Sequence, residues 1–227
     1  MKAEQPDPNT IVYFENGFVT LAEAHVNILT HALNYGAGVF EGIRGYWNAE
    51  AKDLFLVRPT EHYDRWKKNA GILRIGIGPS AEELTEITAE LCRRNQFRDH
   101  IYVRPLAYKS AARIGVAPDD SNAFSVVVVP FGPYFDKKGL NVGIVSWRRL
   151  EDNALPGRAK ICGAYVNSVL ATDEARRNGY DEAIFLTERG HVAEGATCNL
   201  FMVRGNKLIT PPSTDNILEG ITRGSVI

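Results

Sequence analysis

No stretch of this 227-residue chain approaches the ~20 consecutive apolar residues of a membrane-spanning helix. The amino terminus, Met1-Lys2-Ala3-Glu4-Gln5-Pro6-Asp7-Pro8, is polar and has no apolar signal core. Cysteine is scarce: Cys92, Cys162 and Cys198 are odd in number, widely separated and without metal-ligand spacing. That excludes a disulfide framework, gives no metal site, and suits a reducing compartment, with the cytoplasm as the default expectation. A net charge of −1 offers no excess of either sign to attract nucleic acid or a membrane surface. Trp147-Arg148-Arg149 reads as a strand end, since two arginines are too few for a nucleic-acid patch. The five histidines (25, 31, 62, 100 and 191) form no pattern and are read as structural or surface residues. The sequence has no internal repeat and no low-complexity tract.

The remainder has an ordinary globular composition, 44% hydrophobic and 23% charged, enough for one large or two smaller domains. Ile11–Phe14, Glu15-Asn16-Gly17 and Phe18–Leu21 read as a hairpin, with Asn-Gly supplying the positive φ angles of the turn. Asp53–Val57 reads as a strand ending at Arg58, and Pro59-Thr60 opens a helix to about Ala70. Ser80 with Glu83 is a capping-box signature for a helix near 81–96. Strands are predicted at Ile101–Tyr108 and Ser125–Val129, the second valine-rich and expected to be buried on both faces. Pro130-Phe131-Gly132-Pro133-Tyr134 is turn-rich and predicts an interdomain linker. The expected organisation is a small α/β domain at 1–128, an interdomain loop at 129–136, and a second domain at 137–227.

In that second domain the sequence predicts a strand at Asn141–Trp147 and a helix over about Gly163–Asn178. The helix places Val166, Val169 and Leu170 on one face and stops at Gly179. Short strands are predicted at Glu182–Thr187, His191–Ala193, Asn199–Val203 and Leu208–Thr210. Leu218–Arg223 opens a further helix that reaches only Ile227, barely one turn, so the sequence reads as cut.

The chemistry concentrates in two segments. Residues 155–165 hold Lys160 among small and apolar neighbours, with Tyr165 five positions on. Partial desolvation favours the neutral amine, which makes such a lysine a usable nucleophile. Glu194 is a lone carboxylate among the small residues of Glu-Gly-Ala-Thr-Cys-Asn. An amine, a phenol and a carboxylate converging on one pocket are what a pyridoxal phosphate site requires. The glycines Gly36, Gly38 and Gly42 are no phosphate loop, because the Walker ending and the Rossmann context are both missing. They read as close backbone packing beside a pocket walled by Tyr35 and Phe40. Tyr102 and Arg104, two apart on a predicted strand, point to one face.

The ordered set of motifs closely resembles the class IV, fold-type IV pyridoxal phosphate aminotransferases, and among them the branched-chain amino acid aminotransferases. The motifs are His31–Arg44 (HALNYGAGVFEGIR), Val57-Arg58 before a helix, Tyr102-Val-Arg-Pro105, Ala-Lys160 with Tyr165 and Asn167-Ser168, Glu194-Gly-Ala196, and Gly220-Ile-Thr-Arg223. The resemblance implies a mixed α/β (α+β) two-domain fold, truncated at its carboxy terminus, and pyridoxal 5′-phosphate as cofactor. It implies that Lys160 is the Schiff-base lysine and the base that moves the substrate α-proton. Glu194 then faces the pyridine nitrogen, Tyr165 the ring's phenolic oxygen, and Leu218 the ring face. Arg58, Ile221 and Thr222 hold the phosphate. Tyr102 reaches the substrate α-carboxylate region, Arg104 takes a distal carboxylate, and Phe131 and Tyr134 close the pocket. The loop from Lys109 to Asn122, with Gly115-Val116, reaches a neighbouring subunit, so a homodimer or larger homo-oligomer is implied.

The implied reaction moves an amino group between L-leucine, isoleucine or valine and 2-oxoglutarate, ping-pong through pyridoxamine phosphate. Two alternatives stand beside it. One is a D-amino acid or R-amine aminotransferase or an aminodeoxychorismate lyase on the same fold. The other is an inactive truncated subunit.

Overall fold

A computed structural model describes residues 6–134 and 138–227. The chain divides into two compact units, Met1–Asp136 and Lys137–Ile227. Part of the expected interdomain loop, residues 135–136, and residue 137 lie outside the described residues, whereas Val129 and Pro130 continue a strand.

The first unit is built on an antiparallel sheet of seven strands: β1 (Ile11–Phe14), β2 (Gly17–Thr20), β3 (Gly38–Phe40), β4 (Ile43–Asn48), β5 (Asp53–Leu56), β6 (Ile101–Lys109) and β7 (Asn122–Pro130). The order is β2-β1-β7-β6-β4-β5, with β3 also paired to β6. The β1–β2 hairpin forms in the predicted place, but its turn differs. Positive φ falls on Glu15 (47°) and Asn16 (80°), while Gly17 pairs with Phe14 inside the ladder. A two-residue loop with both residues left-handed matches the twist of the strands it joins.

β3 and β4 run along the same side of β6 and are separated at Glu41-Gly42. The break lies by Pro105, which has no N–H to give a neighbouring strand; its carbonyl accepts the Glu41 N–H at 3.0 Å. In β7, Val126 and Val128 are buried while Val127 and Val129 are only half-buried, so the expected burial on both faces is incomplete.

A short helix α1 (His31–Tyr35) precedes β3; α2 (Pro59–Ile72) and α3 (Ala81–Asn95) cover the sheet. The capping box at the start of α3 is present: Glu83 N–H donates to Ser80 Oγ at 3.1 Å, and Ser80 N–H donates to the Glu83 carboxylate at 2.7 Å. Tyr63, Trp66, Ala70, Leu84 and Leu91 fill the core under these helices, and the Trp66 indole N–H donates to the Val39 carbonyl at 3.0 Å.

The second unit carries β8 (Val142–Arg148), α4 (Tyr165–Arg177), β9 (Glu182–Leu186), β10 (Val192–Gly195), β11 (Met202–Arg204), β12 (Lys207–Ile209) and α5 (Ile221–Val226). β8 and β9 are parallel, as a helical crossover through α4 requires, and β10 adds antiparallel to β9. β11 and β12 form a separate hairpin.

The face of α4 reverses the expectation. Val166, Val169 and Leu170 are 59%, 65% and 37% exposed. The helix instead packs Ala171 and Ala175 against Val145, Ala183 and Phe185, with Asn167 and Ser168 also buried. Small side chains let the helix lie close to the strands, and Asn167 Nδ2 donates to the Arg148 carbonyl at 3.1 Å. α4 stops as expected at Gly179, where φ is +79°. Among the described residues, no helix is long and apolar enough to cross a membrane.

Candidate active site

In the second unit the lysine turn is pinned by its neighbours. Ala159, Ile161 and Ala164 are buried, while Lys160 itself is half-buried. Lys160 Nζ donates to Tyr165 Oη at 2.8 Å, and Tyr165 opens α4 after a short 3₁₀ turn at Cys162–Ala164. The amine and the phenol therefore form a preset pair.

Glu194 sits on β10 and is 5% exposed. Its carboxylate accepts from Arg149 at 2.8 Å, from Asn199 Nδ2 at 2.9 Å and from the Leu218 N–H at 3.1 Å. Burial pushes the carboxyl up to about 7; the charges of Arg149 and Lys160 and the bonds from Leu218 and Asn199 pull the other way. Lys160, Tyr165, Glu194 and Leu218 all belong to this unit, and the charge of Lys160 is felt at Glu194.

Asn199 extends the arrangement toward α5. Its amide also donates to the Leu218 carbonyl at 2.8 Å, and a Cβ on Gly220 would lie 2.1 Å from its Oδ1. This commitment of Asn199 accompanies the late start of β11 at Met202 rather than at 199. Ile221 and Thr222 are the first two residues of α5. Gly220→Ala must displace Asn199. We expect it to weaken cofactor binding by about tenfold or more and to lower stability by about 1–3 kcal/mol, the cost of one lost hydrogen bond to a charged group. Absorbance titration with pyridoxal 5′-phosphate checks this, and unchanged affinity would contradict it.

In the first unit Tyr102 and Arg104 do share a face: Arg104 Nη2 donates to Tyr102 Oη at 3.0 Å. The guanidinium stands 4.5 Å from the Phe40 ring centroid. Phe131 lies 5.3 Å and Tyr134 6.4 Å from the Tyr102 ring, centroid to centroid. Burial beside Tyr102 raises the Tyr134 phenol well above its usual range. Gly42 makes room for this box, because a Cβ there would meet Tyr102 Oη at 2.2 Å. Phe40, Tyr102, Arg104, Phe131 and Tyr134 thus come together.

Two further predicted residues belong to this unit and have other partners. The Tyr35 ring lies tilted against His31, 4.8 Å between centroids, and its hydroxyl accepts the Gly115 N–H at 2.9 Å, so it ties α1 to the 109–122 loop. Arg58 is the residue before α2, half-exposed, with a left-handed φ of 48° and an ion pair to Glu61 at 2.9 Å.

Several functional neighbours escape a reading of the sequence alone. Arg149 looks like a solvated strand end yet is 8% exposed against Glu194. Glu41 is fully buried, held by Arg65 at 2.7 and 2.8 Å, by His62 at 2.9 Å and by the Gly42 N–H at 3.2 Å. Arg44 donates to the carbonyls of Phe131 and Gly132 at 2.9 and 3.1 Å and so anchors one wall of the aromatic box. The local signal for Glu41 and Arg44 is the charged pair embedded in Phe-Glu-Gly-Ile-Arg, and Arg149 has none.

Comparison with known proteins places this geometry. A family model described as amino-transferase class IV matches residues 38–227. The probable branched-chain-amino-acid aminotransferase of Aquifex aeolicus (strain VF5) is 44% identical over 217 residues, covering 95% of this chain and 70% of that protein. The crystal structure of the branched-chain aminotransferase from Thermoproteus uzoniensis with norvaline aligns with a TM-score of 0.92 at 42% identity, covering 96% of this chain and 73% of that one. A branched-chain amino acid aminotransferase from T.th., complexed with N-(5′-phosphopyridoxyl)-L-glutamate, aligns with a TM-score of 0.89 at 40% identity, covering 98% and 72%. Fold and site together define an enzyme that transfers amino groups on the fold-type IV scaffold. The chain belongs to the class IV aminotransferases.

Proposed function

We propose that the chain transfers the amino group of L-leucine, L-isoleucine or L-valine to 2-oxoglutarate, using pyridoxal 5′-phosphate. The observation that carries this reading is the Lys160–Tyr165 pair in one unit with a buried Glu194. The residues fit the cofactor. Burial pushes the Glu194 carboxyl up to about 7 despite Arg149, and a protonated ring nitrogen would supply a further cationic partner that favours its charged form. When bound, the cofactor supplies an electron sink for charge developing at the substrate α-carbon.

The chain's own residues do the rest. Lys160 Nζ is the amine that would hold the cofactor, and it would act as the base that takes the proton from the substrate α-carbon. Tyr165 Oη, already paired with that amine, donates to the ring's phenolic oxygen. Glu194 keeps the ring nitrogen protonated. Ile221 and Thr222, the first residues of α5, offer backbone N–H groups and a hydroxyl to the phosphate. Leu218 covers the ring face.

The aromatic box supports the substrate pair. Phe40, Phe131 and Tyr134 offer apolar surface to a branched side chain, and Arg104 beside Tyr102 gives a distal carboxylate its charge partner. The phosphopyridoxyl-glutamate in the T.th. relative agrees with an amino-acid partner bearing such a carboxylate.

We further infer a cytoplasmic homodimer. Cys92, Cys162 and Cys198 form no disulfide. Ile28, Ile114 and Val116, around the 109–122 loop, are 79%, 80% and 76% exposed, an apolar patch that a second copy would cover.

The test is a substrate screen. We expect leucine, isoleucine and valine to react with 2-oxoglutarate, and D-alanine and aminodeoxychorismate not to. Arg104→Gln should raise KM for glutamate by about 10- to 100-fold, the loss of a hydrogen bond between charged groups, with little change for leucine. Equal effects on both substrates would remove Arg104 from its role; activity on D-alanine alone would overturn the reading.

A further inference from the structure

Outside the residues already assigned, Arg149 carries a buried charge network of its own. Its backbone N–H donates to the Leu186 carbonyl at 2.9 Å, directly after β8. Its side chain then crosses the unit's interior. Nε donates to the Asn216 carbonyl at 3.0 Å, and Nη2 donates to the Gly157 carbonyl at 2.8 Å and pairs with Glu194 Oε1 at 2.8 Å. Each acceptor belongs to a different part of the site. Gly157 starts the turn that carries Lys160, Asn216 leads to Leu218, and Glu194 is the anion itself.

The packing around this fork is close. A Cβ on Gly157 would lie 2.6 Å from the Asn216 carbonyl oxygen and 3.4 Å from Arg149 Nη2. Asn216 adopts a left-handed φ of 59°, which turns its carbonyl-bearing segment at that point. A planar guanidinium presents donors in fixed directions and reaches three acceptors at once; an ammonium is a single point charge.

We propose that Arg149 is a positioning residue that holds Glu194 charged and locks it in register with the Lys160 turn and with Leu218. The proposal rests on the reading of Lys160 and Glu194 given above. The groups facing Glu194 are Arg149 from the end of β8, Lys160 from its turn, Asn199, the Leu218 N–H, and the Cys198 thiol, itself raised to about 11 mainly by burial. Of these only Arg149 and Lys160 are cationic. When the Lys160 amine is bonded to the cofactor, Arg149 is the chain's own cation in direct contact with Glu194. Without it, the proton shared between a buried carboxyl and the ring nitrogen moves to the carboxyl, because the charged form has lost its partner.

The experiment loads the full chain with pyridoxal 5′-phosphate labelled with ¹⁵N at the ring nitrogen and compares the wild type with Arg149→Gln and Arg149→Lys. In the wild type the ¹⁵N resonance should sit at the pyridinium position. In Arg149→Gln it should move toward neutral pyridine, and the cofactor dissociation constant should rise at least tenfold. Borohydride reduction should still fix the label on Lys160. Arg149→Lys should restore the pyridinium position and lose less affinity. A folded Arg149→Gln variant with an unshifted resonance overturns the proposal while leaving the Glu194 reading intact. A neutral nitrogen in the wild type, or no shift on Glu194→Gln, overturns that reading and the proposal with it.

If Arg149→Gln does not fold, the double variant with Glu194→Gln decides. The double variant should regain a cooperative thermal transition that Arg149→Gln alone lacks, since the uncompensated buried charge is gone. A double variant that also fails to fold, while Glu194→Gln alone folds, overturns the proposal.

Discussion

Lys160→Ala should abolish covalent cofactor attachment and lower amino transfer at least about 10³-fold, the range in which a positioned proton-transfer base contributes. The variant removes the amine that donates to Tyr165 at 2.8 Å but leaves the backbone of the turn clamped by buried Ala159, Ile161 and Ala164. A lost hydrogen bond at a half-buried site costs about 1 kcal/mol. The fold should therefore persist, and circular dichroism should match the wild type. Absorbance of the protein mixed with pyridoxal 5′-phosphate reads the attachment, and reduction with borohydride followed by mass analysis of the peptide locates it. Lys160→Arg separates charge from nucleophilicity: the guanidinium keeps a cation near Glu194 yet does not bond to the aldehyde, so it should fail as completely as alanine. Normal absorbance in either variant would mean that another amine holds the cofactor.

Lys160, Tyr165 and Glu194 were legible because each is an isolated functional group in a run of small residues, and two of them are only five positions apart. The helix caps at Ser80–Glu83 and Gly179 were legible for the same reason: their physics is local. What stayed hidden depends on partners distant in the chain. Arg149 looks solvated until Glu194, Gly157 and Asn216 surround it. Periodicity points to the wrong face of α4 because it selects the large apolar residues, whereas a helix lying tight on a sheet buries alanines. The β3–β4 break was invisible because its setting combines Glu41's partners on α2 with a proline on β6.

That break sets the second large effect. Glu41→Gln should destabilise the first unit by about 3–5 kcal/mol, the usual cost of removing one member of a buried ion pair. Glu41 is fully buried, and both of its oxygens are engaged, by the Arg65 fork, by His62 and by the Gly42 N–H. Glutamine keeps the shape but turns one acceptor into a donor facing other donors, and it leaves the Arg65 guanidinium, only 11% exposed, without its counter-charge. With m near 2 kcal/mol per molar urea, the midpoint should fall by about 2 M. Fluorescence of the buried Trp66 follows the same unit. A loss under about 0.5 kcal/mol would mean that water or a rearranged His62 replaces the carboxylate, since surface-like substitutions stay within that limit. Because Gly42 lies directly under Tyr102, the loosened β3–β4 junction should also let the aromatic box relax, and KM for both substrates should rise before kcat falls. Stability and substrate binding then decline together at a residue that touches neither substrate nor cofactor, which separates Glu41 from Arg104, where only the binding of the acidic substrate should suffer.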